Sequence, residues 1–236
     1  MTDLVTIGDH DIKLKHLDKV FFPEADLTKG DVVEYYQRIA PVMLPHLMDR
    51  PLNLFRAPDG LNGETFFQQQ ISDYFPDWIN RIAIEKWQDG TTTHVVCDRT
   101  ATLVYLANQG CITPHTWLSC TSALKYPDRL IFDLDPPGSE FTPVRDAARL
   151  LQEQLAAIGL TPFVQTTGSR GLHVIAPLDT TADFDTARHL AQTLADILAE
   201  KHPSSLTTAQ YKSQRRGRLY LDTKRNAYGQ TAVAPY

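Results

Sequence analysis

The chain carries two aspartates one residue apart at the end of the apolar run Leu130-Ile131-Phe132-Asp133-Leu134-Asp135. Residues i and i+2 of a β-strand project to the same face, so Asp133 and Asp135 are expected to point the same way. Two like charges this close repel each other unless a cation lies between them or one carboxylate takes up a proton. The next residues, Pro136-Pro137-Gly138, end the strand and leave the pair at an accessible edge. This spacing predicts a divalent-metal site.

The elements that follow this pair alternate in the order β-α-β-β-α-β, which is the ferredoxin-like unit. The predicted elements are the strand ending at Asp135, a helix from Thr142 to Gly159, strands Phe163–Thr166 and Leu172–Ala176, a helix over about 185–201, and a strand Arg218–Asp222. The first and last strands of such a unit can be neighbours, so Asp222 is expected to join Asp133 and Asp135. Three carboxylates form the hard-oxygen environment that one or two Mg²⁺ or Mn²⁺ ions prefer. Taken alone, Asp222 would be an ordinary surface carboxylate.

The segment Thr166-Thr167-Gly168-Ser169-Arg170-Gly171-Leu172-His173 has the composition of a phosphate-binding turn. Its two glycines let the backbone expose N–H groups, while Thr167, Ser169 and Arg170 supply hydroxyl and guanidinium donors. His173, on the strand that leaves the turn, can donate a hydrogen bond or a proton to a phosphate oxygen. The alternative interpretation is a glycine-rich hairpin turn with incidental polar residues.

The charge is unevenly distributed, with a basic end on an acidic body. Residues 201–236 hold seven Lys and Arg residues and one Asp, a net charge of +6, whereas the other 200 residues carry −11. Five of these cations flank Asp222, namely Arg215, Arg216, Arg218, Lys224 and Arg225. Such a segment suits a phosphate-bearing ligand beside a metal, although a solvated charged face is the alternative.

Length and composition are ordinary for a soluble globular protein, and the order of the predicted elements indicates the α/β (α+β) class. The chain has 236 residues, of which 42% are hydrophobic and 22% charged, and it holds no apolar run of the roughly 18 residues that a membrane span needs. Its first residues do not resemble a signal peptide, so a cytoplasmic location without a membrane partner is expected. We expect a single domain, 1–236, with an N-terminal lobe over about 1–125 and a catalytic lobe over about 126–236. Thr28-Lys29-Gly30-Asp31 has the spacing of a capping box and predicts a helix over about 29–40, ended near Pro41.

The motifs Asp133-Leu134-Asp135, Gly168–His173 and Asp222, in this order, resemble those of the archaeo-eukaryotic primase superfamily, and specifically the polymerase domain of bacterial ligase D. Blocks elsewhere extend the resemblance over nearly the whole chain, among them Val20-Phe21-Phe22-Pro23, Leu27–Asp31, Phe66-Phe67-Gln68 and Gly229–Tyr236. The resemblance implies a primase-polymerase fold, in which an N-terminal α/β lobe packs on an RRM-like catalytic unit. It also implies a two-metal nucleotidyltransferase that uses Mn²⁺ or Mg²⁺ to extend ends or fill 5′-phosphorylated gaps in DNA.

The resemblance also implies roles for individual residues. The implied metal ligands are Asp133, Asp135 and Asp222, with His173 joining them as a catalytic residue. The implied nucleotide contacts are Arg56, His115, Thr167, Ser169, Arg170, His173, Arg215, Arg225 and Gln230. The implied DNA contacts are Lys19 and Lys29 on a 5′-phosphate, and Phe66 and Phe67 on template bases, although one of the two phenylalanines could belong to the core. Implied substrates and partners are an NTP or dNTP, with ribonucleotides favoured, and Ku and an ATP-dependent DNA ligase in non-homologous end joining.

Two other functions compete with this interpretation. Members of the family continue past the Ala-Pro-Tyr block into a basic segment, whereas this sequence stops at Tyr236. A catalytically impaired module that binds DNA ends or nucleotides is therefore the alternative. Haloacid-dehalogenase-like phosphatases also carry an Asp-x-Asp pair, but in the pattern Phe-Asp-x-Asp-Gly-Thr, and here Pro136 and Pro137 replace Gly-Thr.

Overall fold

The computed structural model describes residues 2–86 and 89–236. It divides into two compact units: unit 1 comprises Met1–Trp117 and Thr231–Tyr236, and unit 2 comprises Leu118–Gln230. The predicted lobes divide at about residue 125, whereas the units divide after Trp117, and the last six residues belong to unit 1. Among the described residues, no helix is both long enough and apolar enough to cross a membrane.

Unit 1 is built around a β-sheet with two α-helices. Its strands, numbered along the whole chain, are β1 (Thr2–Ile7), β2 (His10–Lys15), β3 (Val20–Phe22), β4 (Leu27–Thr28), β5 (Pro51–Arg56), β6 (Phe66–Gln68), β7 (Arg81–Glu85), β8 (Thr91–Val96), β9 (Cys111–Trp117) and β15 (Thr231–Val233). Its helices are α1 (Lys29–Leu47) and α2 (Thr100–Asn108). The main sheet has the order β15-β9-β5-β8-β7, with β6 paired to β5, while β1 pairs with β2 and β3 with β4. Antiparallel pairing of β15 with β9 brings the end of the chain back into unit 1.

Helix α1 begins as predicted and ends later than predicted. The Thr28 hydroxyl accepts a hydrogen bond from the Asp31 N–H, and the Asp31 carboxylate accepts one from the Thr28 N–H, which confirms the capping box. The predicted end near Pro41 is wrong, because the helix continues to Leu47. An internal proline removes one backbone hydrogen bond and crowds the preceding turn. Met43 and Leu47 are fully buried and continue the apolar stripe of the helix, and their burial, worth about 1.5–3 kcal/mol each, offsets that loss.

Unit 2, all of which is described, has the predicted β-α-β-β-α-β order. Its elements are β10 (Arg129–Asp135), α3 (Thr142–Ala157), β11 (Phe163–Thr166), β12 (Leu172–Pro177), α4 (Phe184–Lys201), β13 (Leu206–Thr207), α5 (Lys212–Arg215) and β14 (Leu219–Asp222). The sheet order is β11-β12-β10-β14-β13, in which the short β13 runs parallel to β14. The first and last strands of the predicted unit, β10 and β14, are therefore neighbours, as the sequence predicted.

The core of unit 2 fixes which side chains of β10 face outward. Leu130, Phe132 and Leu134 are fully buried in a cluster with residues of α3 and α4. Because strand residues alternate between faces, this burial places Asp133 and Asp135 together on the opposite face of the sheet. A slip of one residue would bury both carboxylates and expose the three apolar side chains, so the register of β10 is strongly determined.

Candidate active site

Three carboxylates meet where β10 pairs with β14 in unit 2. Asp133 lies directly opposite Asp222 in the antiparallel register, and Asp135 lies opposite Tyr220. The side chain of Asp133 is 13% exposed, whereas that of Asp135 is 48% exposed. The strand pairing thus brings together the three aspartates that the sequence placed in one site, with Asp133 mostly shielded from solvent and Asp135 about half exposed.

Two cationic or proton-donating groups hold the buried carboxylate of Asp133. The Nε and Nη2 atoms of Arg225 both lie 2.9 Å from Asp133 Oδ2. The Nε2 atom of His173 lies 3.4 Å from the same oxygen, because β12 places His173 opposite Asp133 on the other side of β10. Burial alone would raise the pKa of Asp133, but His173 and Arg225 together outweigh it and lower the pKa below its ordinary value. Asp133 is therefore a stable anion at neutral pH.

Asp135 has the opposite electrostatic balance. Burial raises its pKa first, and the negative charges of Asp133 and Asp222 raise it further. Arg215, whose Nη1 lies 3.7 Å from Asp135 Oδ2, offsets part of this effect. The guanidinium of Arg215 also lies over the ring of Tyr220, 3.9 Å from its centroid. Burial and the neighbouring carboxylates thus both disfavour the charged form of Asp135, a cost that a cation between the carboxylates would remove.

The donor set fits a hard divalent cation. Carboxylate oxygens are the ligands that Mg²⁺ and Mn²⁺ prefer, and an ion among these three groups would remove the repulsion felt by Asp135. In residues 2–86 and 89–236 as their side chains stand, no three His, Cys, Asp or Glu groups are arranged to hold one metal ion. Asp133 Oδ2 instead contacts Arg225 and His173. The metal site stays a prediction, supported by the chemistry of the donors.

The glycine-rich turn between β11 and β12 packs its backbone against the carboxylate strand. Gly168 has a φ of +72°, a conformation that other residues adopt only with strain. A Cβ atom at Gly171 would collide with the carbonyl oxygen of Leu134, the residue between the two aspartates of β10. The Thr167 hydroxyl closes the turn by donating to the Gly171 carbonyl at 3.3 Å. Gly168 is thus required by its backbone conformation, and Gly171 by the close approach of the turn to the carboxylate strand.

His173 is the most deeply buried polar group of the site. Its side chain is 2% exposed, and within the described part of the chain its Nδ1 atom has no hydrogen-bond partner. A buried imidazole nitrogen without a partner is uncommon, since such groups normally form a hydrogen bond. His173 therefore holds Asp133 through one nitrogen and retains unused hydrogen-bonding capacity at the other.

In unit 1, Lys29 and Lys19 occupy distinct environments. Lys29 is 8% exposed, and its Nζ donates to the Lys15 carbonyl at 2.7 Å. Burial, followed by the charges of Lys19 and Lys15, lowers the pKa of Lys29 to about 8. Lys19 forms an ion pair with Asp59. An anion bound beside Lys29 would stabilise its ammonium form, which burial and the charges of Lys19 and Lys15 destabilise.

Lys29 lines a cavity of about 510 Å³ within unit 1. The basic residues that share this cavity are Lys13, Lys15, His16 and Lys29, with Asp11 as the acidic one. Its aromatic residues are Tyr74, Trp78 and Tyr105. The cavity therefore offers positive charge on the side of β2 and aromatic surface elsewhere.

Phe66 and Phe67, on β6, are both exposed. Phe66 is 38% and Phe67 is 59% exposed, so the expectation that one of them could belong to the core is wrong. The ring of Phe67 contacts Phe55 and meets His115 edge-on, with both pairs of centroids 5.1 Å apart. β6 is a short strand at the side of the main sheet, so both faces of the strand leave room for an exposed ring.

Arg56 is held by partners within unit 1. It is 7% exposed, and its Nε and Nη2 atoms donate to the Gln109 carbonyl at 2.9 and 2.6 Å. Its Nη1 donates to Gln68 Oε1 at 2.6 Å and lies 3.2 Å from the Tyr74 hydroxyl. Arg56 therefore fixes the local packing of β5 and β6, in addition to any role in nucleotide binding.

The chain matches the family model described as LigD, primase-polymerase domain, over residues 28–236. The chain belongs to this family. One relative is the multifunctional non-homologous end joining DNA repair protein LigD of Mycobacterium tuberculosis H37Rv, 34% identical over 234 residues. Another is the bifunctional non-homologous end joining protein LigD of Bacillus subtilis strain 168, 30% identical over 227 residues. Both matches cover 95% of this chain but only 31% and 36% of those proteins, so the chain spans about a third of their length.

A solved structure of the same family has the same fold. The polymerase domain from Mycobacterium tuberculosis ligase D, in complex with DNA, is similar with a TM-score of 0.89 and 32% identity. The similarity covers 95% of this chain and 81% of that chain. The fold and the resemblance predicted from the sequence are thereby confirmed.

The LigD-family residues predicted from the sequence fall into the two units. Unit 2 brings Asp133, Asp135, Asp222, His173, Arg215 and Arg225 into one cluster. Thr167, Ser169, Arg170 and Gln230 also lie in unit 2, with Ser169, Arg170 and Gln230 exposed. Unit 1 holds Lys19, Lys29, Arg56, Phe66, Phe67 and His115. The functional roles of these residues stay predictions.

Sequence reasoning missed several residues of these clusters. Lys15 and His16 line the cavity beside Lys29, but the β2 pattern alone does not show which side chains face it. Asn226, which follows Arg225, is 1% exposed and bonds to the backbone of β10. The position of Asn226 next to Arg225, a predicted nucleotide contact, was the available signal. Its partner Ile131 lies 95 residues away in the sequence, so no local pattern indicates this hydrogen bond.

Proposed function

We propose that this domain is a metal-dependent nucleotidyltransferase that extends a primer on a DNA template during non-homologous end joining. The observation that carries the proposal is the pairing of Asp133 with Asp222 across β10 and β14, with Asp135 beside them and a glycine-rich turn packed against the same strand. Membership of the LigD primase-polymerase family supports this function. The similarity to a polymerase domain in complex with DNA supports a DNA substrate.

Asp133, Asp135 and Asp222 would hold the metal, as Mg²⁺ or Mn²⁺. Two such ions, when bound, would make the primer 3′-hydroxyl a stronger nucleophile and stabilise the departing pyrophosphate. Arg225 and His173 keep Asp133 ionised and oriented, so its carboxylate is available as a ligand at neutral pH.

The surrounding side chains would hold the incoming nucleotide. The exposed backbone of the turn around Gly168, with Thr167, Ser169 and Arg170, suits the oxygens of a triphosphate. Arg215 and Arg225 already lie against the carboxylates and would balance the added negative charge. In the proposed reaction the 3′-oxygen forms a bond to the α-phosphorus, and the bond from that phosphorus to the pyrophosphate oxygen breaks. Arg56, His115 and Gln230 are the further nucleotide contacts proposed from the family resemblance.

The DNA contacts are proposed for unit 1. Lys29 and Lys19 would bind the 5′-phosphate at the far side of a gap, since the cationic cavity beside Lys29 is suited to an anion. Phe67, and Phe66 beside it, would stack on template bases because their rings are exposed. A preference for ribonucleotides, and partnership with Ku and an ATP-dependent DNA ligase, belong to the same proposal through the family resemblance.

Primer extension on a gapped duplex tests the proposed function. The substrate carries a 5′-phosphate at the downstream end, and the reaction contains Mn²⁺ or Mg²⁺ with either ribonucleotides or deoxyribonucleotides. The wild-type chain should add the templated nucleotide, while Asp133→Asn should reduce the rate at least a hundredfold. Asp146→Asn, an exposed aspartate on α3, is the matched control and should behave as wild type. Absence of extension by the wild-type chain, or equal rates for Asp133→Asn and Asp146→Asn, would refute the proposal.

A second candidate is a module that binds DNA ends without catalysis. The Lys29 cavity favours it, because that cavity lies wholly within unit 1 and needs no metal centre. This function predicts that the chain binds 5′-phosphorylated gapped DNA, that Lys29→Met weakens the binding, and that no nucleotide is incorporated with either metal. Incorporation by the wild-type chain would exclude it.

A further inference from the structure

Strand β14 ends at Asp222, which lies opposite Asp133. The residues of β10 that precede Asp133 therefore have no neighbouring strand on the β14 side. Asp133 pairs with Asp222, and Ile131 lies two residues earlier on β10. Groups two residues apart on a strand point to the same side, so the N–H and C=O of Ile131 face the place where β14 would have continued. Unpaired backbone groups in a buried strand are costly, and something must satisfy them.

The side chain of Asn226 takes the place of the missing strand residue. Its Oδ1 accepts a hydrogen bond from the Ile131 N–H at 2.8 Å, and its Nδ2 donates to the Ile131 carbonyl at 2.7 Å. The same Nδ2 donates to the Thr223 carbonyl at 2.8 Å. Asn226 is 1% exposed, so these bonds are shielded from water. The amide of Asn226 therefore satisfies both backbone groups of Ile131 and also binds Thr223, near the start of the segment that carries it.

The segment 222–226 is fixed at both ends. At its start, the Asp222 carboxylate accepts a hydrogen bond from the Lys224 N–H at 2.9 Å, and the Thr223 hydroxyl donates to Gln192 on α4 at 2.8 Å. At its end, the Asn226 amide binds β10. The two site residues of the segment lie at or between these attachment points: Asp222 pairs with Asp133 in the strand register, and Arg225 binds the Asp133 carboxylate.

We propose that Asn226 is a positioning residue, whose bonds to Ile131 hold the segment that carries Asp222 and Arg225 against Asp133. The effect on metal binding and turnover rests on the proposed nucleotidyltransferase function, whereas the attachment of the segment does not. The geometry requires one acceptor and two donor hydrogens on a short planar group, which the asparagine amide supplies. Aspartate keeps the shape but loses both donors, and serine is too short to make all three bonds.

Asn226→Ala tests the proposal against a matched control, Leu155→Ala. Leu155 is fully buried on α3 and belongs to the core of unit 2, so its truncation lowers stability without removing any hydrogen bond of the segment 222–226. Three quantities are measured on the whole chain: hydrogen exchange in peptides covering 219–230, Mn²⁺ affinity by electron paramagnetic resonance, and kcat and KM for gapped DNA. The thermal midpoints of both variants are measured first, so that an effect of lower stability can be separated from an effect on the segment.

Asn226→Ala should increase exchange in 219–230 at least tenfold, weaken Mn²⁺ binding at least tenfold and lower kcat at least thirtyfold. The KM for gapped DNA should change less than threefold, because the proposed DNA contacts lie in unit 1. Leu155→Ala should leave Mn²⁺ affinity and exchange in 219–230 near wild-type values. If folded Asn226→Ala exchanges as the wild type does, the proposed attachment is wrong. If exchange rises but Mn²⁺ affinity and kcat stay unchanged, the positioning role is wrong.

Two further outcomes are distinguished by the same measurements. If the wild-type chain neither binds Mn²⁺ nor incorporates nucleotides, the proposed function fails, while the exchange comparison still decides whether Asn226 holds the segment. If Asn226→Ala does not fold, Asn226→Ser replaces it, because serine keeps a polar side chain but is too short to make all three bonds. Exchange in 219–230 should then rise and Mn²⁺ affinity should fall together, and no change in either quantity would overturn the proposal.

Discussion

Lys29 should make the stability of the protein increase between neutral and alkaline pH. The folded chain holds this ammonium at 8% exposure, near Lys15 and Lys19, and its pKa falls from 10.5 to about 8. Below pH 8 the amine is protonated in both the folded and the unfolded chain, so the folded state bears the full cost of the buried charge. Above pH 8 the folded chain releases the proton first, and this cost is relieved until the unfolded chain also deprotonates near pH 10.5.

The size of the effect follows from the two pKa values. Each unit of difference between the pKa values of the unfolded and folded chains is worth about 1.4 kcal/mol, so the free energy of unfolding can rise by at most about 3 kcal/mol. At pH 9.5 the unfolded chain is still mostly protonated, and the linkage relation gives about 2 kcal/mol of the relief. Lys29→Met has no proton to release, so the free energy of unfolding of the wild type minus that of Lys29→Met should rise by about 2 kcal/mol from pH 7 to 9.5.

Urea unfolding at pH 7, 8, 9 and 9.5 measures this difference, because the titrations of other groups are common to both proteins and cancel. Lys125→Met, which removes an exposed lysine, is the control and should show a difference that does not vary with pH. A wild-type minus Lys29→Met difference that stays constant or falls as the pH rises would refute the reasoning. The preference for a 5′-phosphate over a 5′-hydroxyl end should also weaken above pH 8, as Lys29 loses its charge.

Three further substitutions test the two units. Arg225→Ala should lower the rate of primer extension at least tenfold in single-turnover assays, because both guanidinium contacts to Asp133 are lost. Phe67→Ala should weaken binding to template-bearing gapped DNA by about 1–3 kcal/mol in fluorescence anisotropy, the range for one stacked base. Gly171→Ala should lower the thermal midpoint by several degrees, at about 2–4 °C per kcal/mol for a chain of this size, because the new Cβ collides with the Leu134 carbonyl.

Each of these substitutions has a control elsewhere in the chain. Arg149→Ala, on the exposed side of α3, should leave primer extension unchanged, and equal losses for both arginines would contradict the role given to Arg225. Phe163→Ala removes an exposed ring of unit 2, and similar losses of DNA affinity for Phe163 and Phe67 would exclude specific stacking. Gly138→Ala meets no atom within 4 Å, so a similar fall in midpoint for both glycines would contradict the steric argument.

Much of unit 2 was predictable because its signals are local. The apolar run Leu130-Ile131-Phe132 identifies β10, and the spacing of Asp133 and Asp135 places both aspartates on one face of it. The β-α-β-β-α-β order follows from short periodic segments separated by turn residues. The proximity of Asp222 was also predicted, because the order of the elements constrains which strands can be neighbours in this topology.

Other features depended on burial and long-range contacts that a local pattern does not carry. The end of α1 was predicted at Pro41, but burial of Met43 and Leu47 extends the helix beyond it. The expectation that Phe66 or Phe67 could be in the core also failed, because the short strand β6 lies at the side of the sheet and leaves both rings exposed. In both cases the surrounding fold outweighed the local preference.

Residue types and their spacing predicted the chemical groups of the candidate site: a carboxylate pair on a buried strand, a glycine-rich turn and a cationic segment around Asp222. Only the tertiary structure decided which groups act on which. The register of β10 with its neighbours places Asp222 and His173 opposite Asp133, and Asn226 bonds to Ile131 from 95 positions along the chain. The physical reason is that hydrogen bonds and charges act over a few ångströms, so their partners are set by strand pairing and burial and not by distance in sequence.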